Sequence, residues 1–275
     1  MKTPSRHQQP SHSETQPGTV WLIGAGPGDP ELLTLKALRI ISQADIVLYD
    51  SLISDDILAM LPKRCVRLHT GKRCGAHSMG QPDINKALHT AAQKYRCVVR
   101  LKGGDPFLFG RGGEELEYLQ QRHIPVQIIP GITAAHGCAA AAHIPLTHRQ
   151  YGNALMLHSG HSQYGDFAAS HSPTRVFYMG LRQAGQITGH LLNEGIAEDT
   201  PVALIVNGTL PDQRVLKGVL MDLPHLAQRC LHDSKGPGLI IVGEVAAMAQ
   251  VNAGMNGDID SPEGLIANTA SSAVA

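Results

Sequence analysis

The stretch VVRLKGGDPFLFGRGGEELEYL, residues 98–119, holds the side chains best suited to chemistry. A β-branched run leads into Gly103-Gly104-Asp105-Pro106, a turn where the main chain can approach a ligand closely because two successive residues lack side chains. The segment FGRGG then opens a helix whose first turn carries Glu114 and Glu115, acids placed where the helix dipole favours them. Arg111 is spaced to pair with either glutamate, and Tyr118 falls one turn further along that face. An isolated surface Arg–Glu pair contributes only about 0.3–0.5 kcal/mol. At the end of a strand, beside a double-glycine turn, the same pair becomes a candidate for orienting an anionic ligand. Arginine's planar fork suits that task, since it binds carboxylates through two parallel bonds.

A second glycine-rich turn, GAGPGDP at 24–30, follows a strand pattern and precedes a helical one, the setting of a dinucleotide fingerprint. Asp50 even ends the next strand pattern, roughly where a ribose-binding acid would sit. Asp29 occupies the place of the third glycine, however, and puts a carboxylate where phosphates would have to bind. Asp29 reads instead as the N-cap of a helix beginning at Pro30. A NAD-binding oxidoreductase or nucleotide-sensing module is thus the alternative from a different class.

Other chemistries are poorly supported. The five cysteines form no C-x-x-C pair, which argues against a disulfide framework or a zinc knuckle and fits a reducing compartment. Among the fifteen histidines, His158 with His161 and His143 with His148 lack metal-ligand spacing and a third ligand, so no metal is expected. Basic and acidic residues balance at 23 each, so no global field recruits nucleic acid or a membrane surface. An anionic ligand would be met locally, with Lys72, Arg73, Arg111 and Arg149 available.

The elements that must position these residues alternate. Strand patterns occur at 19–24, 45–50, 65–68, 97–104 and 125–131, with helical patterns at 82–95, 113–122 and 133–143. In 31–44, Leu32, Leu35, Leu38 and Ile41 recur at helical spacing. This alternation predicts a parallel sheet with helices on its faces. A second set of strands is expected at 153–160, 174–180, 201–208, 213–218 and 238–243, with helices at 182–194 and 222–230. The segment NGTLPDQRVLKG reads as a turn between antiparallel neighbours, so this half is expected to be a mixed sheet. The expected organisation is an N-terminal tail (1–18), two α/β domains (19–131 and 132–251) and a flexible C-terminal tail (252–275). The N-terminus lacks the apolar core of a signal peptide and no apolar run is long enough to span a bilayer, so a soluble, cytoplasmic protein is expected.

Taken in order, GAGPGDPELLTLKA, YDSLIS, VRLKGGDPFLFGRGGEE, IPGITAA and IPLTHR resemble the successive motifs of the uroporphyrinogen-III C-methyltransferases of the tetrapyrrole methylase family. YMG, PVALIVNGT and QRVLKG extend the likeness across about residues 19–250. The resemblance implies two α/β domains with S-adenosylmethionine in the cleft between them, usually in a homodimer, and S-adenosylhomocysteine as product. It implies two successive methylations of uroporphyrinogen III, at C-2 and C-7, giving precorrin-2 for cobalamin, sirohaem or haem d1. A later precorrin methylase is the alternative inside the family. Carried over by motif, Pro27, Gly103, Gly104, Asp105, Leu108, Thr133, Ala134, Met179, Gly208 and Gly238 would line the cofactor site. Asp50, Arg111, Glu114 and Arg149 would face the tetrapyrrole, with Arg111 and Glu114 in the catalytic role. Gly208 stands where relatives often carry alanine. The length is expected to leave no room for a further dehydrogenase–chelatase module.

Overall fold

The structure, a computed structural model, describes residues 16–71, 79–160, 173–234 and 236–250. Most of the expected tails, with Lys72, Arg73 and His161, lie outside the described residues. The chain divides into two compact units, one made of the chain up to Ala25 with Leu33–Gly131, the other of Gly26–Leu32 with the chain from Ile132 onward.

The first unit is built on β1 (Thr19–Gly24), β2 (Ile46–Tyr49), β3 (Val66–His69), β4 (Cys97–Lys102) and β5 (Val126–Ile129), in the order β3-β2-β4-β1-β5. Every pairing is parallel, as the strand–helix alternation predicts. Helices α1 (Leu35–Ile41), α2 (Asp55–Ala59), α3 (Gln81–Ala92) and α4 (Gly112–Gln120) connect the strands. Alternate strand residues feed two cores. Val20, Leu22 and Val98 pack with Leu88 of α3 and Leu119 of α4, while Ile23, Val99 and Leu101 pack with Ile40 and Ile41 of α1.

The second unit contains α5 (Ala134–Ala141), β6 (Leu155–Ser159), β7 (Thr174–Tyr178), α6 (Ala184–Asn193), β8 (Pro201–Val206), β9 (Arg214–Val219), α7 (Leu223–Asp233) and β10 (Gly238–Val242). Its sheet runs β6-β7-β10-β8-β9 and is mixed, with β6 parallel to β7 and β10 antiparallel to both neighbours. β8 and β9 are antiparallel, as the NGTLPDQRVLKG turn indicates. Again both faces are covered, by Val176, Ile205 and Leu239 with α5 on one side and Phe177, Leu204 and Ile240 with α6 and α7 on the other.

One expectation fails around the first glycine turn. The chain does not run as one helix from Pro30: Pro30–Leu32 is a single 3-10 turn, and α1 begins only at Leu35, capped by Thr34, whose Oγ1 accepts from Ala37 N–H at 3.1 Å. Asp29 Oδ1 caps the 3-10 turn instead, accepting from Glu31 N–H. The buried face of α1 is Ala37, Ile40 and Ile41, whereas Leu35 and Leu38 are exposed. Leu32 precedes the helix, so a periodicity counted through it tracks the wrong face. The short helix α2 also escapes the pattern reading. Its signal was local: Ser54 accepts from Ile57 N–H, and Asp55 and Asp56 occupy its first turn.

Candidate functional site

In a parallel sheet all strands end at the same edge, and ligands of α/β proteins gather there. At that edge of the first unit the turns after β1, β4 and β5 meet through glycines. A Cβ on Gly131 would lie 2.2 Å from Gly104 O and 2.8 Å from Gly24 C, so the three backbones are in direct contact. Gly104 has φ of +65°, a conformation glycine adopts without strain. Asp105 ties these turns together: Oδ2 accepts from Gly131 N–H at 3.0 Å and Oδ1 from Phe107 N–H at 2.8 Å. Each carboxylate oxygen therefore binds one main-chain N–H, which shapes the turn and leaves further acceptor sites. Gly103 lies against Leu52, where an added Cβ would come within 2.9 Å of Leu52 Cβ, and Leu108 N–H donates to Asp105 O.

Arg111 is the N-cap of α4, in the left-handed region at φ of +58°, two residues after Phe109 at φ of +52°. Non-glycine residues held there are strained, and such strain concentrates at functional sites. Arg111 pairs with Glu114 rather than Glu115, donating from Nε to Oε1 and from Nη2 to Oε2, both at 2.7 Å. Each group holds the other charged: Glu114's bonds push the Arg111 pKa up, and Arg111 pulls the Glu114 carboxyl down. Glu115 points the other way, into the protein, where it meets Arg100 and Lys102. Asp50, just past β2, accepts from Leu52 N–H at 3.0 Å and faces Arg100 at 3.6 Å. Tyr118 is covered by Arg122, whose guanidinium lies 3.6 Å from its ring centre. The first unit thus gathers Asp50, Gly103, Gly104, Asp105, Leu108, Arg111 and Glu114 along the ends of β2 and β4.

The second unit gathers another group. The antiparallel register Leu239↔Tyr178 and Gly238↔Val206 places Met179, Gly208 and Gly238 at one edge of the mixed sheet. Met179 is half exposed with φ of +54°. Together with Gly238, Leu181, Leu231, Ser234 and Gly236 it borders a cavity of about 360 Å³. Thr133 and Ala134 join this edge through Tyr178, a residue the sequence reading passed over although it stands next to Met179. The Tyr178 hydroxyl bonds Thr133 Oγ1 and accepts from Ala135 N–H at 2.9 Å, capping α5 in place of the Thr133 side chain. Tyr178→Phe is expected to lower stability by about 1–2 kcal/mol, measured by urea unfolding, because both partners lose their bond in a partly buried setting.

Pro27 belongs with this group, since Gly137 of α5 leaves room for its ring and Asp29 N–H donates to Thr209 Oγ1 at 3.2 Å. These contacts assign Gly26–Leu32 to the second unit, where a division made by sequence order alone left it with the first. No α-helix N-terminus follows the GAGPG turn directly, so the backbone cradle that a pyrophosphate needs is missing. Gly208 has a packing reason of its own: a Cβ there would lie 2.3 Å from Cys138 Sγ. Burial pushes that thiol up to about 12, so Cys138 is an apolar neighbour and not a nucleophile. Gly208→Ala is expected to destabilise by about 1–3 kcal/mol. Adding Cys138→Ala should restore most of the loss in a double-mutant cycle by thermal melting. Arg149 is exposed on a turn closed by His148 and Gly152, and is not among the residues these contacts bring together. Among the described residues no cluster of metal-ligand type occurs, and no helix is long and apolar enough to cross a membrane.

Two α/β units, one fully parallel and one mixed, collect polar residues and glycine turns at their strand ends, where α/β enzymes place their ligands. The chain belongs to the tetrapyrrole (corrin/porphyrin) methylase family, whose pattern matches residues 19–224. Siroheme synthase 2 of Cronobacter sakazakii is 52% identical over 236 residues, covering 84% of this chain and 51% of that relative. The chain spans about half the length of the curated relatives it matches. Among solved structures, the uroporphyrin-III C-methyltransferase of Thermus thermophilus complexed with S-adenyl homocysteine is 35% identical, with a TM-score of 0.70 over 84% of this chain and 99% of that one. A cobalt precorrin-4 methyltransferase gives a TM-score of 0.73 at 28% identity, covering 83% of this chain and 95% of that one.

Proposed function

We propose that this chain methylates uroporphyrinogen III at C-2 and then C-7, using S-adenosylmethionine, to give precorrin-2. The observation that carries the reading is the two-bond Arg111–Glu114 pair at the N-cap of α4, directly after the double-glycine turn of the GGDPFLFGRGGEE motif. The cofactor supplies a methyl group on a sulfonium, ready for in-line attack by an electron-rich pyrrole carbon. Met179, Gly208 and Gly238, with Thr133, Ala134 and Pro27, are the residues of the second unit assigned to hold it. Gly103, Gly104, Asp105 and Leu108 are those of the first. The cavity beside Met179 and Gly238 falls in the size range of small-molecule sites, about 300–1,000 Å³, and is lined by Leu181 and Leu231 together with the polar Arg182 and Ser234.

Positioning is the protein's main contribution, since aligning two bound reactants can be worth about 7–11 kcal/mol. Arg111 orients a substrate carboxylate with the donors that Glu114 leaves unused, Asp50 faces the macrocycle beside it, and Arg149 is assigned to the macrocycle by its place in the IPLTHR motif alone. The methylated ring must then lose a proton. Arg111 is a poor acceptor, because a guanidinium keeps its proton throughout the working pH range and Glu114 raises its pKa further. It aids that step electrostatically.

The chain is further proposed to act as a cytoplasmic homodimer and to pass precorrin-2 to cobalamin, sirohaem or haem d1 formation. The likeness to a cobalt precorrin-4 methyltransferase favours a later precorrin methylase as the second reading. An anaerobic assay with uroporphyrinogen III and S-adenosylmethionine, read by mass, separates them. One and then two added methyl groups are expected. Folded protein that binds S-adenosylhomocysteine yet leaves uroporphyrinogen unmethylated would discard the substrate. Stabilisation by NADH but not by S-adenosylhomocysteine would overturn the methyltransferase reading itself.

A further inference from the structure

β4 is the central strand of the parallel sheet, where a continuous apolar run is the norm. Val98, Val99 and Leu101 conform, but Arg100 and Lys102 extend the Val98 row beneath α3 and α4, with side chains only 4% exposed. Two cations on one strand face repel each other, and a single fully buried carboxylate, Glu115 of α4, answers both. Its Oε1 accepts from Arg100 Nε at 3.1 Å, Lys102 Nζ at 3.1 Å and Gln81 Nε2 at 3.4 Å. Its Oε2 is buried and has no hydrogen-bond partner among the described residues. Arg100 also donates to Thr70 Oγ1 at 3.2 Å and to Leu101 O at 3.3 Å, and its Nη2 lies 3.6 Å from Asp50 Oδ2. Buried ionic clusters stabilise poorly; apolar residues of similar volume often do as well or better.

What the cluster does achieve is placement. Arg100 links the chain just past β2 and β3 to β4 and α4. Glu115 sits one turn into α4 and donates its N–H to the carbonyl of Arg111, the helix cap. The loop from Pro106 to Gly112 folds back over Lys102: Gly112 N–H donates to Pro106 O at 3.0 Å, and a Cβ on Gly110 would lie 3.2 Å from Lys102 Cε. We infer that Arg100, Lys102 and Glu115 are positioning residues for the methyl transfer proposed above, holding Asp50 on one side and the Arg111–Glu114 pair on the other. The inference rests on that functional reading.

Burial and the neighbouring Arg100 lower the Lys102 pKa below that of an exposed lysine, against the opposing pull of Glu115 and Asp50. Lys102 in turn helps to keep Glu114 ionised. A base whose pKa is depressed by folding binds fewer protons when folded than when unfolded as pH rises through that window. Its deprotonation therefore adds stability and does not remove it. Loss of turnover on the alkaline side without loss of fold is therefore what deprotonation of Lys102 is expected to produce.

The test compares the full chain with R100M/K102M/E115L and with K102R in the anaerobic methylation assay, with melting curves alongside. The triple variant is expected to melt at or above the parent temperature while kcat/KM falls about 100-fold, the scale of a misplaced reactant. K102R keeps its charge throughout the alkaline range but is larger than lysine beneath the Gly110 loop, so it is expected to lower turnover at neutral pH and to move the alkaline fall to higher pH. A folded triple variant with parental kcat and KM would overturn the inference. Should the triple variant fail to fold, an alkaline profile left unmoved by K102R overturns it instead. An inactive parent overturns the functional reading, and the inference with it; an active parent with unaffected variants overturns the inference alone.

Discussion

Arg111→Leu is expected to lower kcat/KM for uroporphyrinogen III by about 100-fold or more while leaving the melting temperature within about a degree of the parent. The two halves of that expectation have different origins. Arg111 and Glu114 are both more than half exposed, so breaking their pair removes no more than the about 0.3–0.5 kcal/mol of a helix-surface ion pair. Turnover depends on something else, the orientation of a guanidinium that Glu114 holds with two 2.7 Å bonds at a strained helix cap. A misplaced reactant costs far more than a lost surface bond. Arg111→Lys refines the result, because lysine keeps the charge but not the planar fork. Reduced kcat with Lys would place Arg111 in the transition state. Full kcat with a raised KM would confine it to substrate binding.

Gly131→Ala should strongly destabilise the first unit. The added Cβ meets Gly104 O at 2.2 Å and Gly24 at 2.8 Å, all main chain at the ends of three adjacent strands, so no side chain can swing aside. Overpacking at its upper end, about 3 kcal/mol, corresponds to a melting temperature lower by roughly 6–12 °C. Gly113→Ala is the control. It lies in the first turn of α4 with nothing within 4 Å of the added Cβ, and should be neutral or stabilising by up to about 1 kcal/mol. If both variants melt alike, the three-glycine contact does not hold the strand ends together. The same contact explains why these turns resemble a ligand cradle in sequence: the glycines admit close backbone approach, and part of what approaches is the protein's own backbone.

Much of the fold was legible in the residue order. The ten strands of the described residues fall where the sequence patterns place them, and each sheet's character came largely from what separates its strands: helical patterns in most of the first half, the Asn207–Asp212 turn before β9 in the second. Arg111 and Glu114 were also recognisable, because i,i+3 spacing on a helix start is a local property. Long-range contact settled the rest. Spacing alone let Arg111 choose either glutamate; Glu115 is taken by Arg100 and Lys102, which only β4's place at the centre of the sheet brings beneath α4. Spacing also promoted Leu35 and Leu38 to a core face they do not form, because the 3-10 turn at Pro30 resets the helical phase. Pro27 and Asp29 follow β1 in sequence but pack on Gly137 and Thr209, more than a hundred residues away. Tyr178 became visible only when β7 brought its hydroxyl to the start of α5. Patterns of period two and 3.6 record which way a residue faces along its own element; which residue answers it across the fold is fixed by packing, and that is written in no single stretch of the chain.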